Sequence, residues 1–197
     1  MAKTKETEKE IRISPIRLEV MNVKVKSLPD STLLMNKMSD NERQKMLDKV
    51  TGKSTEKNKI RDLTKESEGK KHFTEDGKLG FPADGFKAAI VEAAPYLEGM
   101  NKKLAKSIQI MGGILPLQHK SEGINKAVTR DSGMTKAPRE TWRPEIKDWS
   151  ASLTIRYNAS QISSTQVAEL IKLAGFHIGV GAWRPQCNGS HGMFTLA

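Results

Sequence analysis

The last third of the chain changes its hydrophobic period twice, and this order of patterns restricts the fold more than any other feature. The segment DWSASLTIRYN alternates apolar and polar residues, with Leu153, Ile155 and Tyr157 on one side, which is typical of a strand with one buried face. The next segment, ISSTQVAELIKLAG, places apolar residues at helical spacing after a serine and ends at Gly175, a residue type favoured at helix C-caps. A glycine-rich segment and the ending GMFTLA follow. The order predicts a strand, a helix, a loop and a closing strand.

The first half repeats the order of strand, helix and strand. The segment IRLEVMNVKVKSL alternates around a phase slip at Met21 and Asn22, which predicts a half-buried strand with a bulge. In FPADGFKAAIVEAA, Asp84 precedes apolar residues at helical spacing and is predicted to cap a helix, and KSIQIMGGILPLQH predicts buried strands. Two such units predict an α+β fold, a ferredoxin-like or RRM-like antiparallel sheet with helices on one face and long loop insertions.

Several segments contain few apolar residues and are predicted to lie outside the core. Residues 1–12 alternate lysine and glutamate and are expected to form a flexible tail, and residues 13–197 are expected to form a single domain. A lysine-rich stretch at about 51–72 predicts a polar insertion, and the region at about 120–145 predicts a loop.

Charge and cysteine content restrict the partners and the compartment. The formal net charge of +10 favours a polyanionic partner, because basic surfaces gain affinity by releasing counterions from phosphates. Cys187 is the only cysteine, so neither an intrachain disulfide nor a cysteine zinc cluster can form. No apolar run approaches the roughly 18 residues of a membrane helix. We therefore expect a cytoplasmic protein without a membrane partner.

Motifs of known enzyme sites are missing from the sequence. TGKST resembles part of a phosphate-binding loop but lacks the upstream glycine. The pair of Cys187 and His191 has no second pair of metal ligands nearby in the sequence. We therefore predict a non-enzymatic protein without a cofactor or a bound metal.

The ending LAGFHIGVGAWRPQCNGSHGMFTL resembles the end of proteins in the RAMP superfamily, the RNA-binding subunits of CRISPR effector complexes. The resemblance implies a RAMP-like domain over residues 13–197 and a single-stranded nucleic-acid partner. The segment ISPIRLEVMNVKVKSLPDSTLLMNKMS also resembles uncharacterised bacteriophage proteins, which implies a phage version of this fold in the bacterial host cytoplasm. The residues that match the RAMP ending are Gly179, Gly181, Arg184, Gly189, Gly192 and Phe194.

The glycine-rich loop has two interpretations that the sequence leaves open. In one, the glycines let backbone amides meet phosphates, Arg184 supplies charge and Trp183 stacks a base. In the other, the glycines only turn the chain, Trp183 packs on the core and Arg184 pairs with a carboxylate.

Other candidate site residues are basic clusters and arginines close to tryptophans. Guanidinium groups bind phosphates while indoles stack bases, a combination that suits single strands. The predicted nucleic-acid-binding residues are Lys102, Lys103, Lys106, Arg130, Arg139, Trp142, Arg143, Gly179, Gly181, Trp183, Arg184 and His191.

These observations predict a protein that binds single-stranded RNA or DNA, as a homo-oligomer along the strand or as a subunit of a larger complex. The alternative is a phage assembly or host-interaction protein whose basic face binds an acidic protein.

Overall fold

The computed structural model describes residues 15–52, 61–130 and 136–197. Its secondary structure consists of short and medium-length strands with helices between them. The strands are β1 (Leu18–Ser27), β2 (Leu33–Leu34), β3 (His72–Phe73), β4 (Leu79–Pro82), β5 (Gln109–Met111), β6 (Ile114–Gln118), β7 (Ser121–Arg130), β8 (Pro138–Lys147), β9 (Ser150–Asn158) and β10 (Phe194–Leu196). The α-helices are α1 (Asp40–Val50), α2 (Leu63–Glu68), α3 (Ala83–Ala93), α4 (Lys102–Ala105) and α5 (Ser164–Leu173).

The main sheet has the strand order β10-β1-β9-β6-β4-β3, and β5 also pairs with β9. All of these pairs are antiparallel. Along the chain, α3 lies between β1 and β6, and α5 lies between β9 and β10. Two interleaved units of strand, helix and strand in this order form the ferredoxin-like arrangement, which confirms the predicted α+β fold class.

Helices α3 and α5 supply the apolar residues that cover one face of the sheet. On α3 the buried face contains Phe86, Ala89, Ile90 and Ala93, as their spacing predicted. Phe86 lies edge-on to Phe194 of the closing strand at 5.6 Å between ring centroids. Rings at this separation and angle attract each other through their quadrupoles. The closing strand is therefore part of the core.

The two predicted helix boundaries have different outcomes. The hydroxyl of Ser163 accepts a hydrogen bond from the backbone N–H of Gln166, so the predicted serine cap of α5 is confirmed. The N-cap of α3 is Pro82, without a side-chain bond, so the predicted cap by Asp84 is wrong. The chain after α5 continues as a π-helical turn, Ala174–Ile178, instead of ending at Gly175.

The first strand runs without the predicted bulge. Its pairing with β9 is one to one from Leu18 opposite Asn158 to Lys26 opposite Ser150. Leu18 and Val20 consequently lie on the exposed face of the sheet, 61% and 57% accessible. The bulge prediction was wrong because it assumed that every apolar residue of the strand faces the core.

The region predicted as a loop at about 120–145 instead forms most of a long hairpin, with β7 and β8 in a second sheet of order β2-β8-β7. One face of β7 is half-buried and the other is exposed along its length. A two-stranded ribbon of this kind buries little apolar surface, so its strands contain few of the residues by which buried strands are predicted.

Part of the predicted insertion at about 51–72 is also ordered. Helix α2 begins after Asp62, whose carboxylate accepts a hydrogen bond from the Lys65 backbone N–H at 3.1 Å, and it contacts β8. Residues 53–60 and the predicted tail at 1–12 lie outside the described residues. None of the described helices is long and apolar enough to cross a membrane.

Candidate nucleic-acid interface

The glycine-rich loop after α5 lies against the segment that contains β2. The Ala182 N–H donates to the Leu34 carbonyl at 2.9 Å, and the Gly192 N–H donates to the Thr32 carbonyl at 2.7 Å. Ser31 adds a bond from its hydroxyl to the Ser190 carbonyl at 2.9 Å. Together these hydrogen bonds fix the conformation of the loop.

The glycines of this loop allow close backbone contacts. Gly181 has φ of +80°, and a Cβ there would lie 2.5 Å from the Leu34 carbonyl oxygen. A Cβ on Gly192, with φ of +70°, would lie 1.7 Å from the Val180 oxygen. The amide of Gly179 donates to the Ala174 carbonyl at 2.8 Å, so that amide is engaged within the protein. Glycine is the residue that fits such positions.

Trp183 lies at the surface of the loop in a backbone conformation that is rare for large residues. Its φ is +51° and its side chain is 36% accessible. The guanidinium carbon of Arg143 lies 5.2 Å from its ring centroid, and the ring of His191 is 6.3 Å away. The indole therefore contacts a cation and an imidazole at the edge of the protein and does not pack in the core.

Arg184 stabilises the glycine-rich loop through hydrogen bonds to other residues of the same loop. Its Nη1 donates to the Gly181 carbonyl at 3.0 Å, and its Nε donates to the Gln186 amide oxygen at 3.1 Å. In the described part of the chain it forms no ion pair with a carboxylate. The carboxylate pairing of the second interpretation is therefore not observed there.

Arg143 is the most unusual cation of the structure. Its side chain is only 9% accessible, and within the described residues its buried Nε and Nη1 have no hydrogen-bond partner. Burial lowers the pKa of this guanidinium from its ordinary value, because removing water disfavours the charged form. Trp183 offers a π-face but no hydrogen-bond acceptor. Arg143 thus carries two buried donors that are unsatisfied among the described residues.

A basic cleft lies between the hairpin of β7 and β8 and the segment around α1 and α2. It has a volume of about 500 Å³. Among the described residues, five cations and a single carboxylate, Glu42, line it, so its lining has a net positive charge. The cations of the basic cleft are Lys37, Arg61, Lys70, Arg130 and Arg139.

Two of these cations have defined partners. Lys70 is 5% accessible and its ammonium donates to the Trp142 carbonyl at 2.9 Å. Burial, with Arg143 and Arg139 adding repulsion, lowers the pKa of Lys70 despite the carboxylates nearby. The Arg61 Nε donates to Glu66 at 2.9 Å, which lowers the pKa of that carboxyl. Within the described part of the chain, Lys70 has no directly bonded carboxylate.

A loop groove of about 640 Å³ continues from the basic cleft along α3 and the glycine-rich loop. Asn36 lines both cavities, so the two are adjacent, and together they are called the path. Trp183 and Arg184 line the loop groove together with Ala88 and Val180. A strand placed along this path would meet cations first and an indole later.

The predicted residues separate into two groups in the structure. Arg130, Arg139, Arg143 and the residues of the glycine-rich loop lie along the path or beside it. Lys102 pairs with Glu92 at 2.6 Å, and none of the three predicted lysines at or next to α4 lines either cavity. Those lysines are Lys102, Lys103 and Lys106.

Trp142 faces the outer side of the hairpin. The Lys126 ammonium lies 4.4 Å from its ring centroid, and its indole N–H donates to Glu140 at 2.8 Å. Arg143, the next residue of β8, faces the opposite side because side chains alternate along a strand. Trp142 and Arg143, which were predicted to belong to one site, therefore lie on opposite faces of the hairpin.

Sequence reasoning did not identify Lys37, Lys70 or Asn36. Asn36 and Lys37 lie in the segment that was interpreted only by its resemblance to bacteriophage proteins, and Lys70 lies in the predicted polar insertion. Lys70 follows Gly69 at the end of a short helix, and its burial depends on contact with β8. No local pattern marks a lysine that will be buried by a distant hairpin.

Comparisons with known proteins give a fold but no family. No family model and no curated protein matches the chain. The fold is similar to that of a chain in the cryo-EM structure of Type III-B Cmr-beta bound to cognate target RNA, with a TM-score of 0.52 and 12% identity. That match covers 91% of this chain and 59% of the other, so this chain spans only part of its length.

The crystal structure of Cmr6 from Pyrococcus furiosus also matches, with a TM-score of 0.46 and 9% identity, over 93% of this chain and 100% of that one. Together with the ferredoxin-like strand order, the Cmr-beta likeness shows that this chain shares its α+β fold with that Cmr-beta chain.

Proposed function

We propose that this chain is a non-enzymatic protein that binds single-stranded nucleic acid, with RNA as the favoured strand. The observation that supports this most strongly is Arg143, a buried guanidinium that stacks on an accessible indole and has two donors without a partner among the described residues. Unpaired buried donors destabilise a protein. A phosphate in contact with the guanidinium would offset that cost with charge-assisted hydrogen bonds.

The basic cleft extends this contact along a strand. Arg130 and Arg139 lie at the end of the hairpin where β7 connects to β8, and Lys70 lies nearer to Arg143. Successive phosphates would neutralise these cations, and release of counterions would supply much of the affinity. An indole at the end of the path accepts any base, because every base has a π-face.

The open face of the main sheet is a weaker site. Sheet platforms that bind RNA stack bases on aromatic side chains. The exposed face here presents Leu18 and Val20 of β1 and Met111 of β5, which are aliphatic. The path along the hairpin therefore has the better chemistry.

The fold likeness favours RNA over DNA. The similar chain belongs to the structure of Cmr-beta bound to cognate target RNA. By analogy we infer that this chain also acts as a subunit of a complex that holds RNA. A bacteriophage origin remains a proposal based on the sequence resemblance.

The hairpin offers a surface for assembly. β7 forms the free edge of the second sheet, and Val128 on its outer face is 70% accessible. Free edges and exposed apolar residues favour contact with another chain. We propose that copies associate along the strand through this surface.

Binding is tested by fluorescence anisotropy with labelled single-stranded RNA, single-stranded DNA and duplex DNA across a salt series. We expect salt-dependent binding to single strands, and a weaker, less salt-dependent affinity for the Arg143→Gln, Arg139→Gln double variant. Mass photometry on the same samples measures whether particle mass grows with strand length. Absence of binding to all three probes at low salt would refute the proposed function.

A further inference from the structure

Three side chains from distant parts of the sequence form one hydrogen-bonded chain beside Trp183. The hydroxyl oxygen of Thr32 lies 2.9 Å from Oε1 of Glu145. The same oxygen lies 2.9 Å from Nδ1 of His191. Thr32 precedes β2, Glu145 belongs to β8 and His191 lies in the glycine-rich loop.

The chemistry of these groups determines the direction of both bonds. A hydroxyl has one proton, and a carboxylate can only accept a hydrogen bond. Thr32 must therefore donate to Glu145 and accept from His191, which places a proton on Nδ1 of the imidazole. A neutral imidazole with its proton on Nδ1 has a lone pair on Nε2. Nε2 is then a hydrogen-bond acceptor.

The imidazole that carries this acceptor belongs to a cluster with two other groups that suit one nucleotide. The His191 ring is 6.3 Å from the ring of Trp183, and the Arg143 guanidinium is 5.2 Å from the same ring. A cation suits a phosphate, an indole suits a base, and ribose is the group that links them in a nucleotide. The 2′-hydroxyl is the donor that only ribose carries.

Resting on the proposed function, we propose that Nε2 of His191 accepts a hydrogen bond from a ribose 2′-hydroxyl and so makes the site selective for RNA. Thr32 is a positioning residue, because it holds the imidazole in the tautomer that accepts. Glu145 acts through Thr32 by fixing the direction in which the hydroxyl donates.

The expected selectivity is that of one hydrogen bond. We expect RNA to bind roughly three- to tenfold more tightly than DNA of the same sequence through this contact. The His191→Phe variant keeps an aromatic ring without the acceptor. Its affinity for RNA should fall by that factor, and its affinity for DNA should not change. The Thr32→Val variant should lose part of it, because the tautomer is no longer held.

The test measures affinity for RNA, DNA and RNA with a single deoxynucleotide at each position in turn. Wild type, His191→Phe and Thr32→Val are compared with the control His119→Phe, in which a histidine that pairs with Glu122 outside the loop is replaced. The inference is supported if the deoxynucleotide at one position lowers the affinity of the wild type for RNA but does not lower the affinity of His191→Phe. An equal loss for RNA and DNA in His191→Phe would show a structural role and overturn it.

Two further outcomes separate this inference from the proposed function. Equal, salt-dependent binding of RNA and DNA by the wild type overturns the inference and leaves the function intact, whereas no binding of either overturns both. Nitrogen-15 NMR measures the tautomer of the His191 imidazole in the free protein. The His191→Phe variant identifies which imidazole signals belong to His191. A proton on Nδ1 supports the inference, and a proton on Nε2 of the neutral ring overturns it.

Discussion

Replacing Arg143 by methionine should stabilise the free protein while weakening its binding to RNA. The side chain is 9% accessible, and its Nε and Nη1 have no hydrogen-bond partner among the described residues. Leaving buried donors unpaired costs about 1–3 kcal/mol of stability. Stacking on Trp183 at 5.2 Å offsets about 0.5–2 kcal/mol of that.

Methionine has a similar unbranched length, and its thioether contacts aromatic rings favourably, so it keeps part of the stacking contact. We therefore expect a net gain of about 1–2 kcal/mol in the free energy of unfolding of Arg143→Met. For a chain of this size the midpoint of thermal unfolding should rise by roughly 2–8 °C. The same change removes the proposed phosphate contact, so the slope of log affinity against log salt should fall by about 0.7.

The assay is urea denaturation of the free protein together with anisotropy titrations against single-stranded RNA. Arg156→Met is the matched control, because Arg156 donates to Gln109 at 3.1 Å on the open face of the sheet. That control should gain no stability and keep its affinity for RNA. A loss of more than about 1 kcal/mol by free Arg143→Met would refute the reasoning, since it would mean that the protein itself satisfies the guanidinium.

Three other predictions test the cleft, the loop and the indole. Replacing Arg130 and Arg139 by glutamine should lower the salt slope of RNA binding by about 1.4, since each removes one counterion-releasing contact. Gly181→Ala should destabilise the protein by about 2 kcal/mol or more in urea denaturation, because the new Cβ would lie 2.5 Å from a carbonyl oxygen at φ of +80°. Bound RNA should protect Trp183 from acrylamide quenching, because a stacked base covers the indole.

Each of these has its own control. For the cleft, the control is the double replacement of Lys103 and Lys106 by glutamine, which removes the same charge outside both cavities. An equal fall in the salt slope of RNA binding for this control would contradict the proposal that the basic cleft binds RNA. Gly113→Ala adds a Cβ with nothing within 4 Å, so it should change stability little. In Trp183→Phe, bound RNA should no longer reduce acrylamide quenching of the tryptophan fluorescence. If the reduction persisted, the protected residue would be another tryptophan.

The fold was predictable where pattern and structure are both local. The alternation of β9 buries Leu153 and Ile155, and the spacing in α5 buries Leu170 and Ile171, as expected. A strand or helix of this kind depends on residues within one short window. The hairpin of β7 and β8 was missed because its ribbon buries too little apolar surface to leave such a pattern.

The candidate site was predictable only in part. The sequence indicated Trp183 and Arg143 as nucleic-acid ligands, because indoles and guanidiniums suit strands in general. It did not indicate that Arg143 stacks on Trp183, or that Lys70 would be buried beside it. These contacts depend on how the hairpin folds back against the glycine-rich loop.

The sequence by itself determined the two units of strand, helix and strand, the basic character and the conformational demands of the closing loop, because each depends on composition or on residues close together in the chain. Only the tertiary structure decided which cations share a cleft and which tautomer His191 adopts. Thr32 is separated from Glu145 by 113 positions and from His191 by 159. Contacts between such distant residues depend on strand pairing and packing, which local patterns do not encode.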